Sequence, residues 1–249
     1  MTLKERTIRS FAGLLALFVL MAGFWHWSRT REDDQGIPWP FRKGLEFTDR
    51  VGRSLFRTSH VAASPPSPAR GAKPRVNGDL GLGGSVDANT WRMSVETDAG
   101  DEKDERPIEL SLADFKTLPR TASSADFFCI EGWKDTFAYS GVKFSDFLKR
   151  YHLGKKPGTD TYYAYVGLET PDGGYYVSID MESMLHPQTL LADEMNGAPL
   201  SLENGAPLRL VIPVKYGIKS LKRIGKIVFS DTRPADYWAE QGYDWFAGL

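Results

Sequence analysis

An uncharged, apolar stretch near the N-terminus constrains this chain more than any other feature. The 19 residues between Arg9 and Arg29 contain no Asp, Glu, Lys or Arg. As a helix they would span roughly 28 Å, close to the hydrocarbon thickness of a bilayer. Trp25 and Trp27 stand at one end, where amphipathic aromatic side chains favour the headgroup layer. The sequence therefore predicts a transmembrane anchor at residues 10–28.

Two other interpretations of this stretch are a buried core helix and a cleaved signal peptide. Cleavage is disfavoured because Phe24-Trp-His-Trp27 follows the apolar run where a small-x-small site would be needed. Basic residues are nearly balanced on the two sides of the stretch, so the positive-inside rule does not fix its orientation. The basic tail at residues 1–9 resembles that of a signal-anchor and favours a periplasmic body, although no Arg-Arg export pair precedes the stretch.

Composition excludes several other classes of protein. Lys and Arg total 31 against 32 Asp and Glu, so no strong charge field draws nucleic acid to the whole chain. The single cysteine, Cys129, excludes an intrachain disulfide, a Cys-rich zinc site and a four-cysteine iron–sulfur cluster. Four scattered histidines argue against a multi-histidine metal cluster. A hydrophobic content of 41% is ordinary for a globular chain with a real core.

The segment at residues 29–75 is polar, dotted with proline and irregular in pattern. Its Pro-rich part, Ala62–Ala69, cannot form a regular helix or a central strand, because proline removes backbone donors and fixes φ. We expect this segment to be a linker or a long arm wrapped on the body.

The body at residues 76–249 is rich in short strand-like segments bounded by Gly, Pro or Asn. Its patterns predict strands at Trp91–Val95, Ile108–Leu112, Tyr162–Leu168, Tyr175–Ile179, Leu208–Ile212 and Lys226–Ser230. Short helices are predicted at Leu112–Leu118, Lys143–His152 and Met181–Leu185, the last with Asp180 as its N-cap. Because no βαβ rhythm repeats, the sequence predicts one α+β domain that is mostly β.

Two conspicuous motifs carry no chemistry in this interpretation. The glycines of Gly78–Gly84 invite comparison with a dinucleotide-binding loop, but Val86 stands where the last glycine should be, no strand precedes the motif and no helix follows it. We therefore predict turn glycines. The charged run at residues 98–107 is predicted to be a solvated loop.

Cys129 lies in the segment Phe127–Trp133, a strand-like apolar run that ends in a Gly-Trp turn. Most lone cysteines are buried and behave as small hydrophobic residues. The chemical alternatives are a nucleophilic thiolate and a soft metal ligand. No local protease signature surrounds Cys129, and the residues by themselves leave these alternatives open.

The C-terminal third carries a dense group of cations. A strand with Arg209 runs into a loop that holds Lys215, Lys219, Lys222 and Arg223 together with Gly217 and Ser220. Such a loop suits a phosphate-bearing ligand, because backbone N–H groups and a hydroxyl can surround the anion while cations neutralise it. The alternative is a solvated basic loop whose cations pair with nearby carboxylates such as Asp231 and Asp236.

Taken together, these segments resemble the molybdopterin-binding domain of the sulfite oxidase superfamily, and within it the single-domain bacterial branch that includes protein-methionine-sulfoxide reductase catalytic subunits. The resemblance covers roughly residues 76–249. It is carried, in the family's order, by Cys129–Trp133, Tyr139–Val142, Asp146–Leu148, Pro207–Lys222 and Asp236–Tyr243.

The resemblance implies a molybdenum–molybdopterin cofactor with the Cys129 thiolate as its protein metal ligand and catalytic residue. Carried over by position, the cofactor-binding residues would be Asn77, Thr170, Asn204, Arg209, Ser220, Leu221 and Lys222. It also implies two-electron oxo transfer on a small oxyanion or an S-oxide. Electrons would pass to or from a separate haem or quinone partner, since the chain has no recognisable second redox centre.

This sequence departs from the family at points that bear on the substrate. It ends at Leu249 with neither the dimerisation domain nor the haem domain of sulfite oxidases. Phe127 stands where the reductases often have an arginine, which makes the approach to Cys129 less cationic. Aromatic residues near the C-terminus (Tyr237, Trp238, Tyr243, Trp245 and Phe246) are predicted to pack in the core.

Two other functions stay open at this point. One is a domain of the same fold that binds pterin or another anion without turnover. The other is a thiol enzyme with Cys129 as its nucleophile, which alkylation of the native protein would support.

Overall fold

A computed structural model of the chain describes residues 2–33, 35–98 and 107–249. Within these residues there are six α-helices, α1 Leu3–Arg29, α2 Trp39–Leu55, α3 Leu112–Lys116, α4 Phe144–Tyr151, α5 Met181–Met184 and α6 Tyr237–Glu240. The same residues form ten strands, β1 Arg92–Asp98, β2 Ile108–Ser111, β3 Arg120–Phe128, β4 Lys134–Lys143, β5 Tyr165–Glu169, β6 Tyr176–Asp180, β7 Leu190–Met195, β8 Ala198–Pro199, β9 Arg209–Val211 and β10 Lys226–Ser230.

The strands form two sheets. The first has the order β2-β1-β10-β5-β6, in which β1 and β10 are parallel and the other neighbours antiparallel. The second has the order β3-β4-β7-β8, with β9 also paired to β7, and is antiparallel throughout the described pairs. This mixed and mostly β architecture confirms the predicted fold class.

Each of the six predicted strands has a counterpart, as do the three predicted helices. Asp180 caps α5 as predicted, accepting a hydrogen bond from the backbone N–H of Ser183 at 2.8 Å. Helix α4 has Phe144, Phe147 and Leu148 on one face, and all three are fully buried. Burial of each such side chain contributes about 1.5–3 kcal/mol to the main core.

Helix α1 is long and apolar enough to cross a membrane, with a mean hydropathy of 1.8 over its most apolar window and no part of that window buried against the protein. This finding agrees with the predicted anchor in length and composition. Retention of this segment as a membrane anchor stays a prediction.

The segment at residues 29–75 is not irregular throughout, and in this respect the sequence-based prediction was wrong. Residues 39–55 form α2, which begins with Pro40 in its first turn, a position where the missing N–H of proline costs nothing. Beyond it, residues 56–84 contain no helix or strand and lie on the body as an arm, with Gln188 bonded to both the N–H and the C=O of Ala62.

The glycine-rich segment is a set of turns, as predicted. Gly78, Gly81 and Gly84 have φ of +64°, +71° and +70°, values that favour glycine. A Cβ at Gly81 would also lie 2.4 Å from the Thr170 side chain, so the arm can approach the body here only with glycine. The charged run at residues 98–107 lies almost entirely outside the described residues.

Candidate functional site

A cavity of about 350 Å³ lies where the arm crosses the ends of the strands. Its volume falls within the range of about 300–1,000 Å³ that is usual for small-molecule sites. The polar and thiol side chains around it come from three separate parts of the chain, namely Asn77, Cys129, Glu131, Arg209, Ser220 and Lys222. The structure therefore brings together five of the eight residues predicted for the site.

Cys129 follows the last residue of β3 and lies in the turn to β4. That turn is closed by backbone hydrogen bonds from Cys129 N–H to Trp133 O at 2.9 Å and from Gly132 N–H to Cys129 O at 3.0 Å. The side chain is buried, 7% exposed, and burial raises the pKa of the thiol. A tight turn thus holds the sulfur at the cavity wall in an environment that favours the neutral thiol when no cation is present.

Asn77 reaches the same sulfur from the arm. Its side-chain amide donates to Cys129 Sγ at 3.5 Å, and its backbone carbonyl accepts from Lys222 Nζ at 2.8 Å. Gly78 O accepts from the same ammonium at 3.0 Å. The arm is thereby fixed between the thiol and a cation, which brings Asn77 into the site.

Arg209 and Lys222 form the cationic end of the cavity. The buried Arg209 guanidinium donates to the backbone carbonyls of Asn204 and Ser220 at 3.1 and 3.2 Å. Its Nε atom is also buried and has no hydrogen-bond partner within the described part of the chain. Burial, and secondarily the neighbouring Arg209 charge, lower the pKa of Lys222 to about 8. Two cations held this close together favour an anion as their shared partner.

Three predicted residues do not line this cavity. The Thr170 hydroxyl is buried and bonded within its own turn, to the Asp172 carboxylate at 2.7 Å and to the backbone of Tyr175. Asn204 donates to the Ser201 hydroxyl at 2.8 Å and lines a neighbouring groove of about 380 Å³. Leu221 is fully buried in the main core. Their part in cofactor binding stays a prediction, and in this geometry they support the walls of the site.

The structure divides the cations of the C-terminal loop, for which the sequence left open both a phosphate-binding loop and a solvated basic loop. Lys215 and Lys219 point into the protein, where Lys215 lies 3.3 Å from Asp180 and Lys219 pairs with Asp236. Both lysines are almost fully buried. Their neutralisation is therefore structural, as the alternative with Asp236 anticipated, and of the loop's cations Lys222 lines the cavity.

The aromatic residues near the C-terminus divide into two groups. Trp245 and Phe246 are buried, as predicted, but the rings of Trp238 and Tyr243 line the cavity, with centroids 5.1 Å apart. Phe127 adds a third aromatic wall, and a Cβ on Gly217 would lie 2.0 Å from its ring. The alternation of side chains along β3 could have indicated that Phe127 faces the cavity. Local sequence patterns give no comparable indication that Trp238 and Tyr243 line it.

The described residues contain no group of three or more His, Cys, Asp or Glu side chains that could hold a metal ion. A metal at this cavity would have Cys129 as its protein ligand and would need further ligands from a chelating cofactor. A thiolate is a soft donor and suits such a metal. The fold and the site thus combine one buried thiol with two cations at a single cavity.

The chain belongs to the family described as the oxidoreductase molybdopterin binding domain, whose family model matches residues 81–238. This range includes the predicted motifs from Cys129 to Trp238 and confirms the resemblance. The fold is similar to that of a chain in the sulfane dehydrogenase SoxCD from Paracoccus pantotrophus, with a TM-score of 0.51 and 23% identity over 60% of this chain and 40% of that one.

Curated relatives include two protein-methionine-sulfoxide reductase catalytic subunits. The MsrP protein of Xanthomonas axonopodis pv. citri is 36% identical over 165 residues, which cover 61% of this chain and 50% of that protein. The MsrP protein of Campylobacter jejuni is 28% identical over 188 residues, covering 68% of this chain and 60% of that protein. The chain spans between 47% and 60% of the length of the curated relatives it matches.

Proposed function

We propose that this chain is a molybdenum–molybdopterin oxidoreductase that transfers an oxo group to or from a small substrate at the Cys129 cavity. The observation that carries the proposal is the meeting of a buried thiol with two cations, Arg209 and Lys222, in one cavity of a molybdopterin-binding domain. When bound, the cofactor supplies a metal that exchanges an oxo group in a two-electron step.

The residues present fit such a cofactor. Arg209 has a buried Nε atom without a partner among the described residues, and a buried donor of this kind costs about 1–3 kcal/mol until something accepts from it. The Ser220 hydroxyl beside it and the Lys222 ammonium complete a donor set for a phosphate oxygen. These groups would hold the phosphate end of the pterin, and Cys129 would hold the metal.

The walls of the cavity favour an S-oxide over an oxyanion as substrate. Phe127, Trp238 and Tyr243 line the cavity, and Tyr243 is 41% exposed at its mouth. With Arg209 and Lys222 engaged by the cofactor, an apolar, aromatic entrance accepts a neutral sulfoxide at little cost, whereas it would desolvate a dianion such as sulfite without pairing it. The MsrP relatives are named as methionine-sulfoxide reductases, which agrees with this choice.

Cofactor, partner and location follow from the same proposal. Reduction of a sulfoxide consumes two electrons and two protons and releases water, so an electron donor is required. We expect a separate haem or quinone partner in the membrane, with α1 in contact with lipid and the catalytic body on the periplasmic side. The thiol-enzyme alternative is less well supported, because burial raises the pKa of Cys129 and so lowers its thiolate fraction.

Metal content together with turnover tests the proposal. We expect the full chain, purified from a host that makes molybdopterin, to contain close to one molybdenum per chain and to reduce methionine sulfoxide with a reduced dye as electron donor. A folded protein without molybdenum would refute the cofactor assignment. A protein loaded with molybdenum but inactive on sulfoxides and sulfite would support the non-catalytic alternative instead.

Anion binding by the cofactor-free protein should depend on pH through Lys222. Its pKa is about 8, lowered from 10.5 chiefly by burial, so the ammonium is charged below that pH and loses its proton above it. Affinity for sulfate, whose own charge is constant in this range, should be level below pH 7 and fall above pH 8 by up to about tenfold per pH unit. Calorimetric titration between pH 6.5 and 9.5 measures this profile. A level profile throughout would contradict the assignment of Lys222.

A further inference from the structure

Helix α2 carries an exposed apolar face. Phe47, Val51 and Leu55 follow one another at four-residue spacing, which places them on the same side of the helix. They are 61%, 39% and 66% exposed, and Phe41, one and a half turns earlier, is 59% exposed. A contiguous exposed patch of large apolar side chains is uncommon on a soluble surface and marks a docking surface.

The opposite side of α2 is fixed to the body. Asp49 is buried and pairs with Arg233 at 2.7 Å. Gly52 lies so close to Phe246 that a Cβ there would meet the ring at 2.6 Å. The helix is therefore held in a fixed orientation, while Phe47, Val51 and Leu55 border a groove between α2 and the body and keep much of their surface exposed.

The N-terminal end of α2 adjoins α1. Residues 30–38 connect the two helices, and the rings of Trp27 and Trp39 are 6.2 Å apart between centroids. The Arg31 guanidinium lies over the Trp27 ring at 4.3 Å. Aromatic and basic side chains of this kind gather at the headgroup layer when a helix leaves a bilayer. Helix α2 thus starts at the level where α1 would emerge from the lipid.

Basic side chains flank the apolar face. Lys43 is exposed one turn before Phe47 and pairs with Glu46 at 2.7 Å, and Arg57 is exposed just beyond the C-terminal end of the helix. A helix with large apolar residues on one face and Lys or Arg beside it is typical of segments that lie in the plane of a membrane interface. The cations can contact anionic headgroups while the apolar side chains enter the acyl boundary.

We propose that α2 lies on the bilayer surface with Phe41, Phe47, Val51 and Leu55 in the boundary between headgroups and acyl chains. The apolar face of α2 adjoins the apolar α1 helix and is bordered by cations. For this reason we infer that it contacts lipid and not a protein partner. The proposal goes beyond oxo transfer and does not depend on it. It makes residues 29–55 a rigid support that sets the orientation of the body on the membrane.

This orientation would turn a second cavity toward the lipid. The cavity measures about 800 Å³ and is lined by Phe47, Val51 and Leu55 from α2 and by Phe128 from β3. Phe127, the preceding residue, lines the Cys129 cavity instead. Because successive side chains of a strand point to opposite faces, the two cavities lie on opposite sides of β3, the strand that leads to Cys129.

Spin-label accessibility in the full chain tests the proposal. The chain carrying Leu55→Cys with a nitroxide label is reconstituted into phospholipid vesicles that contain anionic lipid, and Arg50→Cys serves as the matched control on the polar side of the same helix. Both positions are exposed, so neither change disturbs packing. The unsubstituted chain, treated in the same way, supplies the background from Cys129. Collision rates are measured with oxygen, which concentrates in lipid, and with a water-soluble nickel chelate.

We expect the Leu55 label to collide several-fold more with oxygen than with nickel, relative to the Arg50 label. Equal access of nickel to both labels would overturn the proposal, because the face would then lie in water. A Leu55 label shielded from both reagents would also overturn it, since a protein partner or a second copy of the chain would then cover the face. The readout needs neither cofactor nor turnover, so its failure is distinct from failure of the proposed function.

Discussion

Replacing Cys129 with serine should abolish turnover while leaving the fold and most of the bound pterin in place. Serine is nearly isosteric, so the turn after β3 survives, but its hydroxyl is a poor soft-metal ligand. Arg209 and Lys222 still hold the anionic end of the cofactor. We expect the rate of sulfoxide reduction to fall at least about a thousandfold, or roughly 4 kcal/mol in the barrier. Dye-coupled turnover, pterin fluorescence after release and thermal unfolding measure the three parts of this result.

The matched control for this variant is Ser123→Ala. Ser123 lies on the same strand and is not among the residues that line the cavity, so the control should keep activity and thermal stability. Undiminished turnover in Cys129→Ser would refute the ligand assignment. Alkylation separates the metal ligand from a nucleophile, because a metal-bound thiolate in the loaded protein should resist iodoacetamide, whereas a free catalytic thiolate would react and lose activity.

Replacing Lys222 with methionine should empty the site of pterin and molybdenum together. The change keeps the aliphatic stem but removes the charge, and a hydrogen bond to a charged group contributes about 1.5–3 kcal/mol, so retention should weaken roughly tenfold to a hundredfold. It also removes the two bonds from Lys222 Nζ to the arm at Asn77 and Gly78. Molybdenum and pterin per chain, measured after gel filtration, should fall in parallel.

Two further variants serve as controls for the charge at Lys222. Lys222→Arg keeps the charge and should recover most of the cofactor content. Lys226→Met removes a cation that pairs with Glu96 at 2.8 Å outside the cavity, and its cofactor content should match that of the unsubstituted chain. Full cofactor content in Lys222→Met would show that the anion is held elsewhere and would refute the assignment of this lysine.

Local sequence patterns predicted the elements that are short, alternating and bounded by turn residues. They did not predict β3, β4 and β7 as strands, because these carry polar residues whose partners lie far away along the chain. Arg120 in β3 pairs with Asp193 in β7 at 2.7 Å, so the nearly buried Asp193 carboxylate is neutralised by a residue 73 positions away. Helix α2 was not predicted for a related reason. Pro40 and two glycines in its sequence are typical of a linker, and the helix packs on Phe246, which is a tertiary contact.

The sequence by itself determined the apolar N-terminal helix, the mostly β body and, through the order of its motifs, Cys129 and the Arg209–Lys222 segment as the parts of one site. The helix and the mostly β body depend on composition and periodicity, which can be read along the chain, whereas the site depends on the resemblance of its ordered motifs to the family. The tertiary structure alone decided which cations line the cavity and which are neutralised inside, because the fold buries Lys215 beside Asp180 and Lys219 beside Asp236, whereas it places Lys222 at the cavity wall. It also decided that Trp238 and Tyr243 border the cavity and that α2 joins the anchor to the body, since these contacts unite residues distant in sequence.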